Sequence, residues 1–298
     1  MQMGYIGIGS MGGALARRLQ TAHKLIVNDI DQAAVNRFVS TGAEAASLRE
    51  LAARCDVIFL CLPTSAHVRE VIFGENGLHS ELRAGTFIVD QTTGDPEKTR
   101  EMAAALAADG VELIDAPVSG GVMGAEAGTI AIIIGASDEQ FARIRPLVEA
   151  ISPNISHAGG VGTGQVMKLV TNMIAFSQRV ATLEGLALTT KMGVDPETAV
   201  DILLAGGARN KYMEVLLGPK VIRGDLRTGF TLSLALKDLN LMAQIAIDHD
   251  VPMPLNEVSR QLYASYVDEL GADSQVETSA LAIQGQGDTR FIPEDYVV

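Results

Sequence analysis

The chain has 298 residues, 47% of them hydrophobic and 20% charged, with 30 glycines, no tryptophan and a formal net charge of −13. That balance excludes a disordered chain and is enough to build the cores of two domains. The negative field opposes phosphate polymers and anionic membrane surfaces, so neither nucleic acid nor membrane is expected as a partner. A small anionic substrate must then be met by local donors such as backbone amides or a lysine.

The first β-rich run, Gly4 to Ile8, leads into Gly7-Ile8-Gly9-Ser10-Met11-Gly12 and a helix predicted over Ser10 to Gln20. A strand, a glycine loop and a helix in this order form the setting of a dinucleotide fingerprint. Gly7 permits the turn, Gly9 lets a pyrophosphate approach the backbone, and Gly12 allows the helix to pack closely. The helix N-terminus, at Ser10 and Met11, favours the negative charge. With a first strand at Met3-Gly4-Tyr5-Ile6, no signal peptide is expected and the setting is cytoplasmic.

The second run, Lys24 to Asn28, ends at Asn28-Asp29, where a carboxylate can accept hydrogen bonds from the adenosine ribose. The next residue is Ile30 rather than an arginine, so NAD is expected over NADP. The alternative for Asp29 is to cap the helix that begins near Asp31. Further runs follow at Asp56 to Cys61, Thr86 to Asp90, Val111 to Asp115 and Thr129 to Gly135, alternating with helical patterns. This rhythm predicts an α/β domain built on a parallel, doubly wound sheet covered on both faces.

Ligands of such sheets sit beyond the carboxyl ends of the strands. Leu62 and Pro63, after Cys61, are therefore expected to border the cofactor. Asp90 reads as a loop-anchoring carboxylate. Thr93 reads either as a ligand contact or as the cap of the helix near Pro96. Cys55 and Cys61 bracket a strand that would hold them about 20 Å apart, so they neither pair nor share a metal. No metal site is expected, since His157 lacks partners at ligand spacing.

Asp115-Ala116-Pro117-Val118-Ser119-Gly120-Gly121 closes another strand. The adjacent glycines expose successive amides that, with the Ser119 hydroxyl, can hold a carboxylate. A glycine-rich stretch, 159–164, then opens a long apolar helix from about Gln165 to Lys191. Beyond it the patterns are helical only: Pro196 to Leu204, Thr231 to Asp248, Leu255 to Glu269 and Gln275 to Ile283. The expected division is a Rossmann-type dinucleotide domain, 1–163, and an all-helical substrate and oligomerisation domain, 164–298, joined by the long helix.

Lys168 and Asn172 interrupt the apolar start of that helix and lie four apart, on one face. A lysine pressed into apolar surroundings shifts towards the working range of a general acid or base. The competing reading is a lysine that snorkels to solvent. Farther on, Arg209 and Lys211 could meet a second anionic group or be solvated surface cations.

These segments, taken in order, resemble the β-hydroxyacid dehydrogenase family, which includes 3-hydroxyisobutyrate dehydrogenase and tartronate semialdehyde reductase. The resemblance rests on the dinucleotide loop, the Asp115 to Gly121 loop, Gly164 to Asn172, and Lys237-Asp238-Leu239-Asn240-Leu241. It implies hydride transfer between NAD(P) and a small carboxylate-bearing 3-hydroxy acid or its semialdehyde. Lys168 would be the catalytic acid or base and Asn172 would orient the substrate. Ser119, Gly120 and Gly121 would hold the substrate carboxylate, and Lys237 would close the site near the nicotinamide. Asp238 could instead simply accompany Lys237 on an exposed face. Where the family often has serine then threonine, this chain has Thr92 and Thr93. The resemblance also implies a homodimer or homotetramer. Rival readings are an imine reductase, against which Lys168 argues, and a non-catalytic dinucleotide-binding module.

Overall fold

The β-branched and aromatic runs of the first half pair into a sheet because each alternates two apolar faces. In the computed structural model the strands are β1 (Met3–Ile6), β2 (Leu25–Asn28), β3 (Glu44–Ala45), β4 (Val57–Leu60), β5 (Phe87–Asp90), β6 (Glu112–Asp115), β7 (Val118–Ser119), β8 (Ala131–Gly135) and β9 (Ile155–Gly159). Their order is β3-β2-β1-β4-β5-β6-β8-β7, with β9 on the other side of β8. Register is in phase across the centre, where Tyr5 lies opposite Val27 on one side and Phe59 on the other.

The helices are α1 (Ser10–Gln20), α2 (Gln32–Ser40), α3 (Leu48–Arg54), α4 (Ser65–Phe73), α5 (Pro96–Ala107), α6 (Gly121–Glu126), α7 (Asp138–Val148), α8 (Thr163–Lys191), α9 (Pro196–Ala205), α10 (Leu232–Asp248), α11 (Pro254–Leu270) and α12 (Ser279–Gln286). Tyr5, Val27, Phe59, Val89 and Ile114 face one core with α1. Ile6, Ile26, Ile58, Ile88 and Leu113 face another with α3 to α5. The strands are buried on both faces, as a doubly wound sheet requires.

The sheet departs from an all-parallel expectation. β8 runs antiparallel to β6 and β7, while β9 is parallel to β8. Three strands also lie outside the apolar runs. β3 and β7 have two residues each, and β9 reads Ile-Ser-His-Ala-Gly with its serine and histidine exposed. Such edge strands are held by pairing rather than by an apolar face, so they carry little periodic signal.

The chain divides into two units, Met1–Lys168 and Leu169–Val298. The division falls inside α8 because the first turn of that helix is hydrogen-bonded to the sheet unit. The second unit is helical, with isolated bridges at Asp225–Val297 and Thr231–Gln275 only. Its core gathers Phe176, Leu183, Leu186, Leu232, Leu239, Tyr263 and Tyr266. Within it Arg179 pairs with the fully buried Glu277 at 2.8 Å. No helix in the chain is long and apolar enough to cross a membrane.

Candidate active site

Gly7 has φ +84°, and a Cβ there would collide with the Cys61 carbonyl oxygen. A Cβ on Gly12 would collide with the Gly7 carbonyl oxygen, so both glycines are demanded by packing. Gly9 is different: a Cβ there would meet nothing within 4 Å, and the residue is exposed. The open space lies over the α1 N-terminus, whose first turn holds no acidic residue and whose Gly9 cap supplies no side-chain hydrogen bond. A pyrophosphate fits this cradle, with Ser10 and Met11 in the first turn.

At the end of β2, Asp29 accepts the Ile8 amide at 2.6 Å and the Asp31 amide at 2.8 Å. The cap of α2 is Asp31 itself, which accepts from Ala33. Asp29 is thus tied to the glycine loop through Ile8, half-buried beside a fully exposed Ile30. Asn28 donates its amide to Ala46 and so holds the segment after β3.

The loops after β4 and β5 are tied together. Thr92 accepts the Leu62 amide at 3.0 Å, Ser65 accepts the Asp95 amide at 2.8 Å, and Asp90 accepts the Thr92 amide at 2.9 Å. Asp90 is therefore a loop anchor. The cap of α5 is Asp95, which accepts from Glu97 and Lys98, so Thr93 does not cap that helix. Pro63 is exposed and Leu62 half-buried at the mouth of this loop pair. Beyond β7, Gly120 and Gly121 take φ values of +137° and +70°, a left-handed turn that L side chains resist. Ser119 is half-buried at the strand end, paired opposite Ala131.

The start of α8 is fixed by two residues to which the sequence motifs assigned no role of their own. Asp115, at the end of β6, accepts the Gly162 amide at 2.6 Å and the Gln165 amide at 2.7 Å. Burial pushes its carboxyl up to about 6 against the opposing pull of these amides and of Arg100. Gln165 is fully buried; it accepts the Gly94 amide and donates to the Thr92 carbonyl, both at 2.8 Å. Lys168 follows on the same helix and is 8% exposed. That low exposure weighs against a lysine spread into solvent.

In the helical unit Asn172 is 9% exposed and donates its side-chain amide to Asp238 at 2.6 Å. Asp238 is 2% exposed, and its other oxygen forms an ion pair with Lys237 at 2.9 Å. The reading that places Asp238 on an exposed face is corrected: it is the buried acceptor that orders both Asn172 and Lys237. The only sequence signal was its place next to Lys237 in a matched motif. Lys237 also lines a groove of about 420 Å³ with Leu236, Asn240, Leu241 and Gln244. Arg209 pairs with Glu214, and Lys211 is exposed. Glu184 is exposed too, and His157 stacks on Phe141 and contacts the Ala136 carbonyl at 2.7 Å. No group of three or more His, Cys, Asp or Glu side chains is placed to hold a metal ion.

Two family models match the chain in succession. The NAD binding domain of 6-phosphogluconate dehydrogenase covers residues 2–160, and the NAD-binding region of NADP-dependent 3-hydroxyisobutyrate dehydrogenase covers 162–282. The chain belongs to the β-hydroxyacid dehydrogenase family. It is 35% identical over 265 residues to 2-(hydroxymethyl)glutarate dehydrogenase of Eubacterium barkeri, covering 88% of each chain. It is also 35% identical over 283 residues to 2-hydroxy-3-oxopropionate reductase of Escherichia coli, covering 94% of this chain and 96% of that one. Among solved structures, 3-hydroxyisobutyrate dehydrogenase of Mycobacterium tuberculosis with L-serine superposes with a TM-score of 0.83 at 26% identity, covering 95% of this chain and 100% of the other. Like other members of the family, the chain is a nicotinamide-dependent oxidoreductase acting on the CH–OH group of hydroxy acids.

Proposed function

We propose that this chain transfers a hydride between NAD and a small 3-hydroxy acid, or its semialdehyde, with Lys168 as the proton partner. The observation that carries this is the buried side chain of Lys168, one turn before Asn172, on a helix whose first turn is bonded to the end of β6 and to the loop after β5. When bound, the nicotinamide accepts the hydride in oxidation and returns it in reduction. As the C–H bond breaks in oxidation, the neutral Lys168 amine takes the hydroxyl proton and the carbonyl forms; in reduction its ammonium gives that proton to the carbonyl oxygen.

Ser119 with the amides of Gly120 and Gly121 is the proposed carboxylate anchor, and Thr93 a further contact to substrate or cofactor. Asn172 orients the substrate, and Lys237 contacts the cofactor. For the dinucleotide, Gly7, Gly9, Ser10, Met11 and Gly12 would hold the pyrophosphate, Asn28 and Asp29 the adenosine ribose, and Leu62 and Pro63 the border of the site. The Asp29 carboxylate beside Ile30 supports NAD over NADP, because a 2′-phosphate would meet a negative charge and no cation.

A second reading, reduction of a semialdehyde such as tartronate semialdehyde, is favoured by the near-complete overlap with the 2-hydroxy-3-oxopropionate reductase. The division of labour proposed is cofactor in 1–163 and substrate and assembly in 164–298. Exposed Ile247, Leu255 and Val258 on α10 and α11 support self-association of the helical unit as a dimer or tetramer. The free thiols Cys55 and Cys61 support a reducing, cytoplasmic setting, and the charge of −13 disfavours nucleic acid and membrane surfaces as partners. The test is a panel of 3-hydroxy acids with NAD and NADP, and of semialdehydes with the reduced cofactors, followed by nicotinamide absorbance. Turnover with 3-hydroxy acids and NAD is expected. Reaction with NADP alone would overturn the reading of Asp29, and no reaction with any 3-hydroxy acid or semialdehyde would overturn the substrate class.

A further inference from the structure

Gln165 makes a contact that no motif describes. Its side-chain oxygen accepts the Gly94 amide and its side-chain nitrogen donates to the Thr92 carbonyl, each at 2.8 Å. Those two backbone groups flank Thr93 on either side. A single buried amide therefore grips both peptide bonds neighbouring Thr93, as a paired strand residue would. The same residue donates its own backbone N–H to Asp115 at 2.7 Å, which fixes the first turn of α8 to the end of β6. Lys168 lies three positions further along, on the face of the helix that Gln165 shares.

Space around the clamp is tight. A Cβ on Gly94 would press into the Ser65 hydroxyl, and Gly164 lies so close to Asp115 that a Cβ there would come within 2.7 Å of its carboxylate. Gln165 is 0% exposed, so water does not substitute for its partners. Both side-chain bonds are neutral and directional, and each needs one end of the amide: carbonyl towards Gly94, NH₂ towards Thr92.

We infer that Gln165 is a positioning residue for the reaction, holding the Thr93 backbone and the helix turn of Lys168 in one fixed relation. The inference rests on the reading of Lys168 as proton partner. It assigns no chemistry to Gln165 itself. Its consequence is that loss of the clamp misplaces the acid–base group without removing it, and a displacement of about 1 Å is enough to cost about 10²-fold in rate.

The test uses Gln165→Met, which keeps length and removes both bonds, and Gln165→Glu, which keeps the acceptor for Gly94 but sets a carboxylate against the Thr92 carbonyl. Turnover of 3-hydroxyisobutyrate with NAD is measured across pH, alongside Kd for NADH, the thermal midpoint and amide hydrogen exchange over residues 92–95. In Gln165→Met, kcat is expected to fall about 10²-fold, well beyond any change in Kd for NADH. In Gln165→Glu, kcat relative to the unsubstituted chain is expected to recover as pH falls, because the protonated carboxyl can again donate to Thr92. Exchange at Gly94 should quicken in the methionine variant only.

A kcat within threefold in Gln165→Met overturns the inference. So does a Gln165→Glu ratio that stays flat with pH, or a kcat loss in both variants that only mirrors a fallen thermal midpoint. Lys168→Ala separates the two levels. Should that variant turn over normally, the proton reading fails on its own account; should the chain not oxidise 3-hydroxyisobutyrate, only the choice of that substrate fails. Gly94 exchange then decides the clamp: unchanged exchange in Gln165→Met overturns it, and faster exchange supports it.

Discussion

Asn172 donates its side-chain amide to the Asp238 carboxylate at 2.6 Å, and the same carboxylate pairs with Lys237. A charge-assisted bond in a buried setting fixes which end of the Asn172 amide faces away from Asp238. Asp238→Ala is expected to lower kcat about tenfold to a hundredfold, the range of a misplaced reacting group. Asp238→Asn should fall between, since one oxygen acceptor survives. Steady-state kinetics with a thermal midpoint check this, and an unaltered kcat in Asp238→Ala would separate the carboxylate from the reaction.

Lys168 is 8% exposed and Lys237 is partly open, so the two lysines should answer differently to truncation. Lys168→Ala is expected to lose about 10² to 10⁴ in kcat while still binding NADH, the usual worth of a placed general acid or base. Binding followed by nicotinamide fluorescence, beside turnover, gives both numbers. Near-normal turnover would sink the assignment.

The three loop glycines separate folding from binding. Gly12→Ala is expected to destabilise the sheet unit or fail to fold, because its Cβ collides with the Gly7 carbonyl. Gly9→Ala has open space and should melt close to the unsubstituted chain, yet bind NADH at least about tenfold more weakly if a pyrophosphate occupies that space. Calorimetric titration and a melting curve on the same sample distinguish the two.

Asp29 and Ile30 together set the expected cofactor preference. Replacing Asp29 by alanine and Ile30 by arginine removes the charge that repels a 2′-phosphate and adds one that attracts it. KM for NADP should drop about tenfold or more, the effect of one charge-assisted contact. Asp29→Ala alone should also weaken NAD binding, because Ile8 loses the acceptor at 2.6 Å that shapes the glycine loop.

Asp115 carries a pH signature of opposite sign to an ordinary paired carboxylate. Its folded-state value of about 6 lies above the ordinary 3.8, so its proton is held more tightly in the folded chain. The stability linked to that proton is complete below about pH 4 and is lost as pH rises through about 6, amounting to about 3 kcal/mol at 1.36 kcal/mol per unit. Asp115→Asn leaves one backbone N–H facing another donor, at a cost of about 1–3 kcal/mol. Urea unfolding should therefore show a larger stability advantage of Asp115 over asparagine at pH 4.5 than at pH 7; a larger advantage at pH 7 would contradict the burial of this group.

Wherever the physics is local, the sequence by itself determined the outcome. The span of α1, Ser10–Gln20, the glycine loop before it, the central strands and the long helix carrying Lys168 and Asn172 all follow from periodicity, glycine conformation and residue spacing. Four ordered motifs were enough to place the family. The tertiary structure alone decided the rest, because the deciding bonds join residues distant in sequence. Asp115 meets Gly162 across 47 positions, Gln165 meets Thr92 across 73, and Asn172 meets Asp238 across 66. Each is a polar side chain whose meaning depends on what folding brings against it. A glutamine, two aspartates and the unpatterned edge strand β9 carry no periodic signal, and burial together with a specific partner is what turned them into the supports of the candidate site.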